Sequence, residues 1–540
     1  MTTPPLRAAD ILAQRLYQAG CRHAFGMPGG EVLTIVDALE AAGIRFTLIK
    51  HENAGGFIAE GVHHRDGAPA ILVATVGPGA MNCVNVVANA EQDRVPMIVL
   101  TGCVDADEAL TYTHQVLDHR AVFAPITKAT FQLTAAGAGI IADKAVSIAT
   151  EPRCGPVLID VPITVADAPV ASDISRPLRP TASPFAPSGA DAARARKALA
   201  DATRPIAIVG LDVLQEESQT VLRAFLEQFG IPMITTYKAK GVLPEDHPLC
   251  LGAAGLSPLA DTHLLPLVAQ ADLVLCIGYD PIEMRTGWRN AVDPARQTVI
   301  DIAAVPNTHY MHQATLNFVG HCGETLEMLA RNTPVAETWE DGAPARTRNA
   351  LLEAFPPSDR WGAAGVIAET RAVMPDTTLA TADSGAHRIM ISQMWRCTEP
   401  RGLVQSSALC TMGCAVPLAM GLKIAEPDRP VIGFSGDAGF LMVVGELATA
   451  AELGLTPIFL VFVDASLALI ELKQRQRQMA NRGVDFARHD FAAMGRAFGG
   501  AGHTVRSRVE LRECLKEAMN CKTFTVIAAE IEPGGYDGRI

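Results

Sequence analysis

Two acidic residues, Asp437 and Asp464, stand 27 residues apart in a stretch running from Gly436 to Ser466. The first lies within FSGDAGFL and the second closes the apolar run PIFLVFV. Between them VVGELATAAELGL reads as a helix, so the two acids bracket a strand–helix–strand unit. In a parallel sheet that unit returns the chain to the same edge, and both carboxylates face one crevice. Glycines beside the first acid let backbone approach a phosphate at a helix N-terminus. Two carboxylates, a main-chain carbonyl and diphosphate oxygens together would suit Mg²⁺. Taken alone, the pair also fits ordinary acidic turn residues after strands. A third acid, Glu52, sits at a strand-to-helix junction ahead of Gly55 and Gly56. There it could be partly buried against a ring nitrogen of a cofactor, or be a plain helix-N-terminal acid favoured by the macrodipole.

The elements that must hold these residues alternate strand and helix, which predicts an α/β fold of three doubly wound parallel-sheet domains. The first covers 1–166. It opens with the helix RAADILAQRLYQAG, then a strand in CRHAFGMPGG that ends in a turn at Gly26, Gly29 and Gly30. A helix, the strand IRFTLIK and the Glu52 helix follow. AILVATV leads into the turn Gly77-Pro78-Gly79, and PMIVLTG is a further strand. A long loop, DADEALTYTHQVLDHRAVFAP, carries His114 and Gln115 before a last strand at 157–162. A Pro- and Ser-rich linker is expected at 167–190. The central domain is placed at 191–332, with strands RPIAIVG, PMITTY, ADLVLCIG and QTVIDI. A second linker is expected at 333–359 and the third domain at 360–540.

Composition excludes several classes. At 540 residues the chain exceeds one core, and 49% hydrophobic with 19% charged residues is globular. A net charge of −13 and 5% aromatics argue against nucleic acid or an anionic membrane as partner. The 12 cysteines show no CxxC pair, as expected of a reduced cytoplasmic protein. The N-terminus lacks a basic start with an apolar core, so no signal peptide is expected. No apolar run reaches the ~18 residues of a membrane span.

Taken together, these motifs resemble the thiamine-diphosphate-dependent 2-oxoacid enzymes. Their mark is GDG followed, after a strand–helix–strand interval, by an Asn or Asp; here it reads Gly436-Asp437-Ala438 and Asp464. His51-Glu52, AEG at 59–61, GPG at 77–79 and TMG at 411–413 fit the same pattern. Within that group the chain is most similar to FAD-independent, catabolic-type acetolactate synthases. The likeness is carried by GMPGGEVLTIVDAL (26–39), THQVLDHRAVFAPITK (113–128), IGYDPIE (277–283), CTMGCAVP (410–417) and FVDAS with GVDF (462–466, 483–486). An aspartate at 464 is the habit of that type.

The resemblance implies pyrimidine-binding, central and diphosphate-binding domains in that order. It implies thiamine diphosphate and Mg²⁺ as cofactors. Asp437, Asp464 and the Ser466 carbonyl would hold the metal. Ser384, Gly385, Ala386 and His387 would flank the diphosphate, with Gly436, Ala438, Gly439 and Leu467 opposite or beside them. Glu52 would hydrogen-bond N1′ of the aminopyrimidine, the Cys410 carbonyl would take its 4′-amino group, and Met412 would wedge beneath the bend between the rings. Met412 could otherwise be simple core packing. Gln115 would reach the substrate side. Gly29, Gly30, Glu31, His114, Leu469, Ile470 and Lys473 are the remaining substrate-pocket candidates. Glu31 reads as a solvated turn acid or an active-site acid, and Lys473 as a solvated helical lysine or an anion ligand. GYDPIEMR replaces the RFDDR-type wording of FAD-containing synthases, so FAD is not expected. The implied activity is decarboxylation of pyruvate or a related 2-oxoacid with joining to a second aldehyde or ketone carbonyl, 2-acetolactate being the leading product. A plain decarboxylase, an aldehyde carboligase, an acetyl-phosphate-forming acetyltransferase and a non-catalytic homologue are the alternatives. A homodimer or homotetramer with the site at a subunit interface is implied as well.

Overall fold

The computed structural model describes residues 5–170, 183–358 and 360–540. It holds three six-stranded sheets, and every pairing between their strands is parallel. The first sheet contains β1 (His23–Met27), β2 (Arg45–Leu48), β3 (Ala70–Ala74), β4 (Met97–Cys103), β5 (Ala129–Gln132) and β6 (Pro156–Pro162), in the order β2-β1-β3-β4-β6-β5. The second contains β7 (Pro205–Val209), β8 (Met233–Thr236), β9 (Cys250–Ala254), β10 (Leu273–Ile277), β11 (Thr298–Ala303) and β12 (Leu316–Val319), ordered β12-β11-β10-β7-β8-β9. The third contains β13 (Leu379–Ala382), β14 (Leu403–Gln405), β15 (Val431–Gly436), β16 (Ile458–Val463), β17 (Ala501–Val505) and β18 (Thr525–Glu530), ordered β14-β13-β15-β16-β18-β17. Central strands such as AILVA, MIVLTGC and IFLVFV are buried along their whole length, as sheets covered on both faces require.

The first and third domains are joined by two helices, Glu52–Asp66 and Ala415–Ala425. Their crossing is glycine against backbone. A Cβ at Gly61 would lie 2.5 Å from the Leu418 carbonyl oxygen, and one at Gly421 would lie 2.1 Å from that of Ile58. The start of the first helix is tied to the third domain too, because the Lys50 and His51 amides both donate to Glu446 Oε1 at 2.9 Å.

The region expected as a second linker, 333–359, is largely structured. Ala343–Ala354 is a helix with a proline in its first turn, where the missing N–H has no helical partner to lose. Trp339, Ala343, Leu351 and Phe355 are buried in the central domain's core, and Trp339 Nε1 donates to the Pro205 carbonyl at 2.7 Å. Of the linker expected at 167–190, residues 171–182 lie outside the described residues, and Pro169 pairs with Arg7. The helix expected over 443–455 spans Glu446–Glu452, and a further helix, Asp437–Val443, precedes it.

Candidate functional site

In the third sheet the chain winds one way from β13 to β14 and the other way from β15 onward. The strand order therefore reverses between β13 and β15, where the loops at the carboxyl ends part and leave a crevice. A cavity of about 110 Å³ lies there. Ser384, Gly385, Ala386, His387, Met412, Gly436, Asp437, Ala438, Gly439, Asp464, Ser466, Leu467, Leu469 and Ile470 all line it. The structure thus brings together, from four separate stretches, most of the residues singled out in the sequence. It adds Phe462, Ala468 and Tyr536.

One residue that the sequence did not single out organises these loops. Asp383, fully buried at the end of β13, accepts from Gly413 N at 2.7 Å, Ser435 Oγ at 3.0 Å and Gly436 N at 3.2 Å. Its Oδ1 also pairs with His387 Nε2 at 2.8 Å, and the His387 ring stacks on Phe462. A single carboxylate therefore holds the 384–387, 412–413 and 435–436 segments in register. Gly439 passes so close that a Cβ there would fall 2.0 Å from Asp383 Oδ2. The close approach falls on Gly439, while Ala438, which departs from the GDG pattern, keeps its methyl at the cavity wall.

Asp437 accepts from the Ala438 amide at 2.8 Å and the Ala465 amide at 2.7 Å. Burial raises its pKa above the ordinary carboxylate value. Asp464 is raised to about 7, first by burial and then by the neighbouring Asp437 charge. Two buried carboxylates that oppose each other's ionisation are the donor set a hard cation would relieve. Tyr536, buried over the same acids, has its phenol pushed up by burial and by both charges. Ala465 adopts φ 59°, which turns the chain so that Ser466 Oγ reaches Asp485 Oδ1 at 2.7 Å and Leu467 N reaches the Val484 carbonyl at 2.8 Å. The FVDAS and GVDF stretches therefore meet in space. Among the described residues no three His, Cys, Asp or Glu side chains converge as a metal cluster. The protein offers two carboxylates, and an ion bound here would complete its shell with carbonyl and phosphate oxygens.

Glu52 does not line this cavity. It is buried at 4% exposure, at the first position of its helix, with Oε2 accepting from Asn82 Nδ2 at 2.9 Å. A Cβ at Gly79 would lie 3.2 Å from Glu52 Oε1. Gly77, at φ 64°, gives its amide to His119 Nε2 at 3.2 Å, and His119 Nδ1 pairs with Asp160 Oδ1 at 2.9 Å. Thr101 Oγ1 donates to the same Asp160 oxygen at 2.8 Å. This buried chain sets the turn that presses against Glu52. Neither His119 nor Asp160 was marked in the sequence, because a lone histidine in a loop carries no spacing signal.

Glu31 accepts from Thr75 Oγ1 at 2.5 Å. Thr75 also packs between Gly29 and Gly79, which links Glu31 to Glu52 through Thr75 and Gly79. Gly30 is exposed and has open space where a Cβ would sit. His114 and Gln115 are exposed, and Gln115 lies at φ 59° against Gly77. Cys410, at φ 60°, gives its thiol to the Ser407 carbonyl at 3.2 Å. Lys473 is exposed and borders a second cavity next to the first.

Comparison with known proteins agrees with this architecture. Three family descriptions match in order: thiamine pyrophosphate enzyme, N-terminal TPP binding domain at residues 6–122, central domain at 192–329, and C-terminal TPP binding domain at 383–529. Acetolactate synthase of Bacillus subtilis is 28% identical over 97% of this chain and 93% of its own length. The catabolic acetolactate synthase of Raoultella terrigena is 28% identical over 97% and 95%. The acetolactate synthase large subunit of Corynebacterium glutamicum is 31% identical over 97% and 86%. With all three domains matched and near full-length relatives, the chain belongs to the thiamine-diphosphate-dependent enzymes, in the acetolactate synthase-like branch.

Proposed function

We propose that this enzyme uses thiamine diphosphate and Mg²⁺ to decarboxylate pyruvate, or a related 2-oxoacid, and to join the remaining unit to a second carbonyl, with 2-acetolactate as the leading product. The observation that carries this reading is the crevice at the β13/β15 switch point, where Asp437 and Asp464 share a pocket with the 384–387 and 436–439 segments. In this reading Asp437, Asp464 and the Ser466 carbonyl hold the metal, and the 384–387 backbone faces the diphosphate. When bound, the cofactor supplies a carbon nucleophile and stores the electrons released with CO₂. The chain's own part is to orient and to exclude water. Glu52, with Oε1 carrying no hydrogen bond among the described residues, offers a carboxyl to N1′. Met412, which lines the cavity, would pack against the cofactor's rings. The apolar side chains of Leu467, Leu469 and Ile470 favour loss of charge from the substrate carboxylate.

Glu52 is not among the residues that line the Asp437 cavity, which supports a site completed by a second copy, as homodimer or homotetramer. FAD has no role in this reading, so purified protein should carry no stoichiometric yellow chromophore. Incubation with pyruvate, thiamine diphosphate and Mg²⁺, followed by acid conversion of acetolactate to acetoin, tests the proposal. Absence of both acetoin and CO₂ rejects it. CO₂ without acetoin favours the second reading, a decarboxylase or a carboligase with another acceptor, for which the exposed cation Lys473 beside the site speaks.

A further inference from the structure

Arg388 lies in the first turn of the helix Ala386–Met394 and is buried at 4% exposure. Its Nη1 donates to the Ser406 carbonyl, its Nη2 points at Cys410 Sγ at 3.1 Å, and its Nε has no acceptor. A thiol is a weak acceptor, and an arginine stays charged. Among the described residues no carboxylate pairs with this guanidinium. A buried cation with neither a counter-charge nor a full set of acceptors is strongly unfavourable, and an anionic ligand relieves it.

The space beside Arg388 is built to receive one. A cavity of about 280 Å³ adjoins the Asp437 pocket and shares Ser384, Gly385 and Leu469 with it. Arg388, Arg285 and Lys473 all border it, among the described residues no Asp or Glu side chain does, and Ile540 with its main-chain carboxylate is the remaining charged neighbour. Arg285 comes from the central domain, where its Nη1 is fixed by the Leu256 carbonyl at 2.9 Å. Leu469 and Leu472 give it apolar lining, and Leu469 also borders the Asp437 pocket. A pyruvate methyl group would leave this volume and these charges unused.

We propose that Arg388, with Lys473 and Arg285 at the rim, forms an anion subsite that reads a second acidic group at the far end of the donor 2-oxoacid. The inference rests on the thiamine-diphosphate reading above and names its preferred substrate class. Pyruvate is turned over, and a 2-oxoacid with a distal carboxylate, sulfonate or phosphonate is turned over better. Arg388 does not line the Asp437 pocket, so its partner is the substrate rather than the diphosphate.

The test uses the holoenzyme and reads CO₂ release. 2-Oxoglutarate and 2-oxoadipate, 3-sulfopyruvate, and 3-phosphonopyruvate form the carboxylate, sulfonate and phosphonate arms, against 2-oxobutyrate and 2-oxopentanoate. At least one two-acid donor should exceed its uncharged-tail analogue by about 10-fold in kcat/KM, as a charge-assisted contact to a buried arginine would give. In Arg388→Gln that advantage should disappear while thiamine diphosphate affinity by calorimetry is kept, and Arg388→Lys should restore part of it. Lys473→Met, at an exposed position that does not threaten folding, should reduce the advantage by a smaller, salt-sensitive factor. Glutarate, which cannot be decarboxylated, should raise the melting temperature of cofactor-free protein more than butyrate does, an effect lost in Arg388→Gln and reduced in Lys473→Met. This last readout survives a failure of the cofactor reading. No preference for any two-acid donor, a preference kept in Arg388→Gln, or a loss that follows cofactor affinity alone would each overturn the proposal.

Discussion

At the scale of single residues, the chemistry falls on side chains whose surroundings differ sharply. Glu52 is buried with one oxygen held by Asn82 and the other against Gly79. Glu52→Gln keeps shape and removes the acid, so turnover should fall by about 10² or more while the cofactor still binds, measured by steady-state rates and calorimetry. An unchanged rate would remove Glu52 from its assigned role. His119→Ala opens a cavity, leaves the Gly77 amide without its acceptor and leaves Asp160 with Thr101 in place of two partners. It should destabilise the protein by about 2–4 kcal/mol in thermal or urea unfolding. The cavity residues were legible because small residues and acids after strands carry a spacing pattern. Asp383, Arg388, His119 and Tyr536 were not, since each acts through partners brought near only by the fold.

At the scale of elements, the helix Glu52–Asp66 does more than present its first residue. Glu60, fully buried on its third turn, accepts from Asn89 Nδ2 at 3.1 Å. Its pKa is raised to about 8, first by burial and then by Asp93. An acid raised in the folded state adds stability that is fully present below its unfolded value of 4.5 and is lost as pH rises through about 8. The native protein should therefore lose melting temperature from acid toward pH 8 and level off above it. Glu60→Gln should remove that part of the slope, and identical profiles would contradict the assignment. At the crossing with Ala415–Ala425, Gly421→Val drives a side chain into the Ile58 carbonyl. A loss of more than about 3 kcal/mol is expected, read as a lower melting temperature. Long apolar strands and amphipathic helices could be read from the sequence. Of the strands that went unread, β5, β9, β12, β14 and β17 are all at sheet edges, and the sixth, β18, lies beside one. Edge strands need no continuous apolar run, and β12 and β5 are only partly covered. The helix Ala343–Ala354 was hidden by a Pro- and Ala-rich composition that resembles a linker.

At the scale of the whole molecule, three sheets of one kind divide the work, and the proposed site draws on the first and third. Because Glu52 does not line the Asp437 cavity, complementation distinguishes a site within one chain from one built by two. Glu52→Gln and Asp437→Asn should each be inactive alone. A hybrid dimer of the two restores one intact site, so co-expression should recover about a quarter of native activity by random pairing. No recovery would place each site within one subunit. Dilution should lower specific activity in parallel with dissociation, followed by light scattering. The exposed apolar residues Leu110, Tyr112 and Leu117 in the loop next to Gln115 agree with such pairing. No helix among the described residues is long and apolar enough to cross a membrane.

The position of Asp383 has a consequence for anyone who would retool this enzyme. Gly413, Ser435, Gly436 and His387 all draw on its two oxygens. A library that randomises the cofactor-side loops would mostly sample collapsed crevices, since a change in one loop releases the others. Positions 388, 469 and 473 border the neighbouring cavity without touching that carboxylate. Mutational tolerance should therefore split along this line, with near-zero acceptance at 383 and 439 and wide acceptance at 469 and 473 in a deep scan for folded protein.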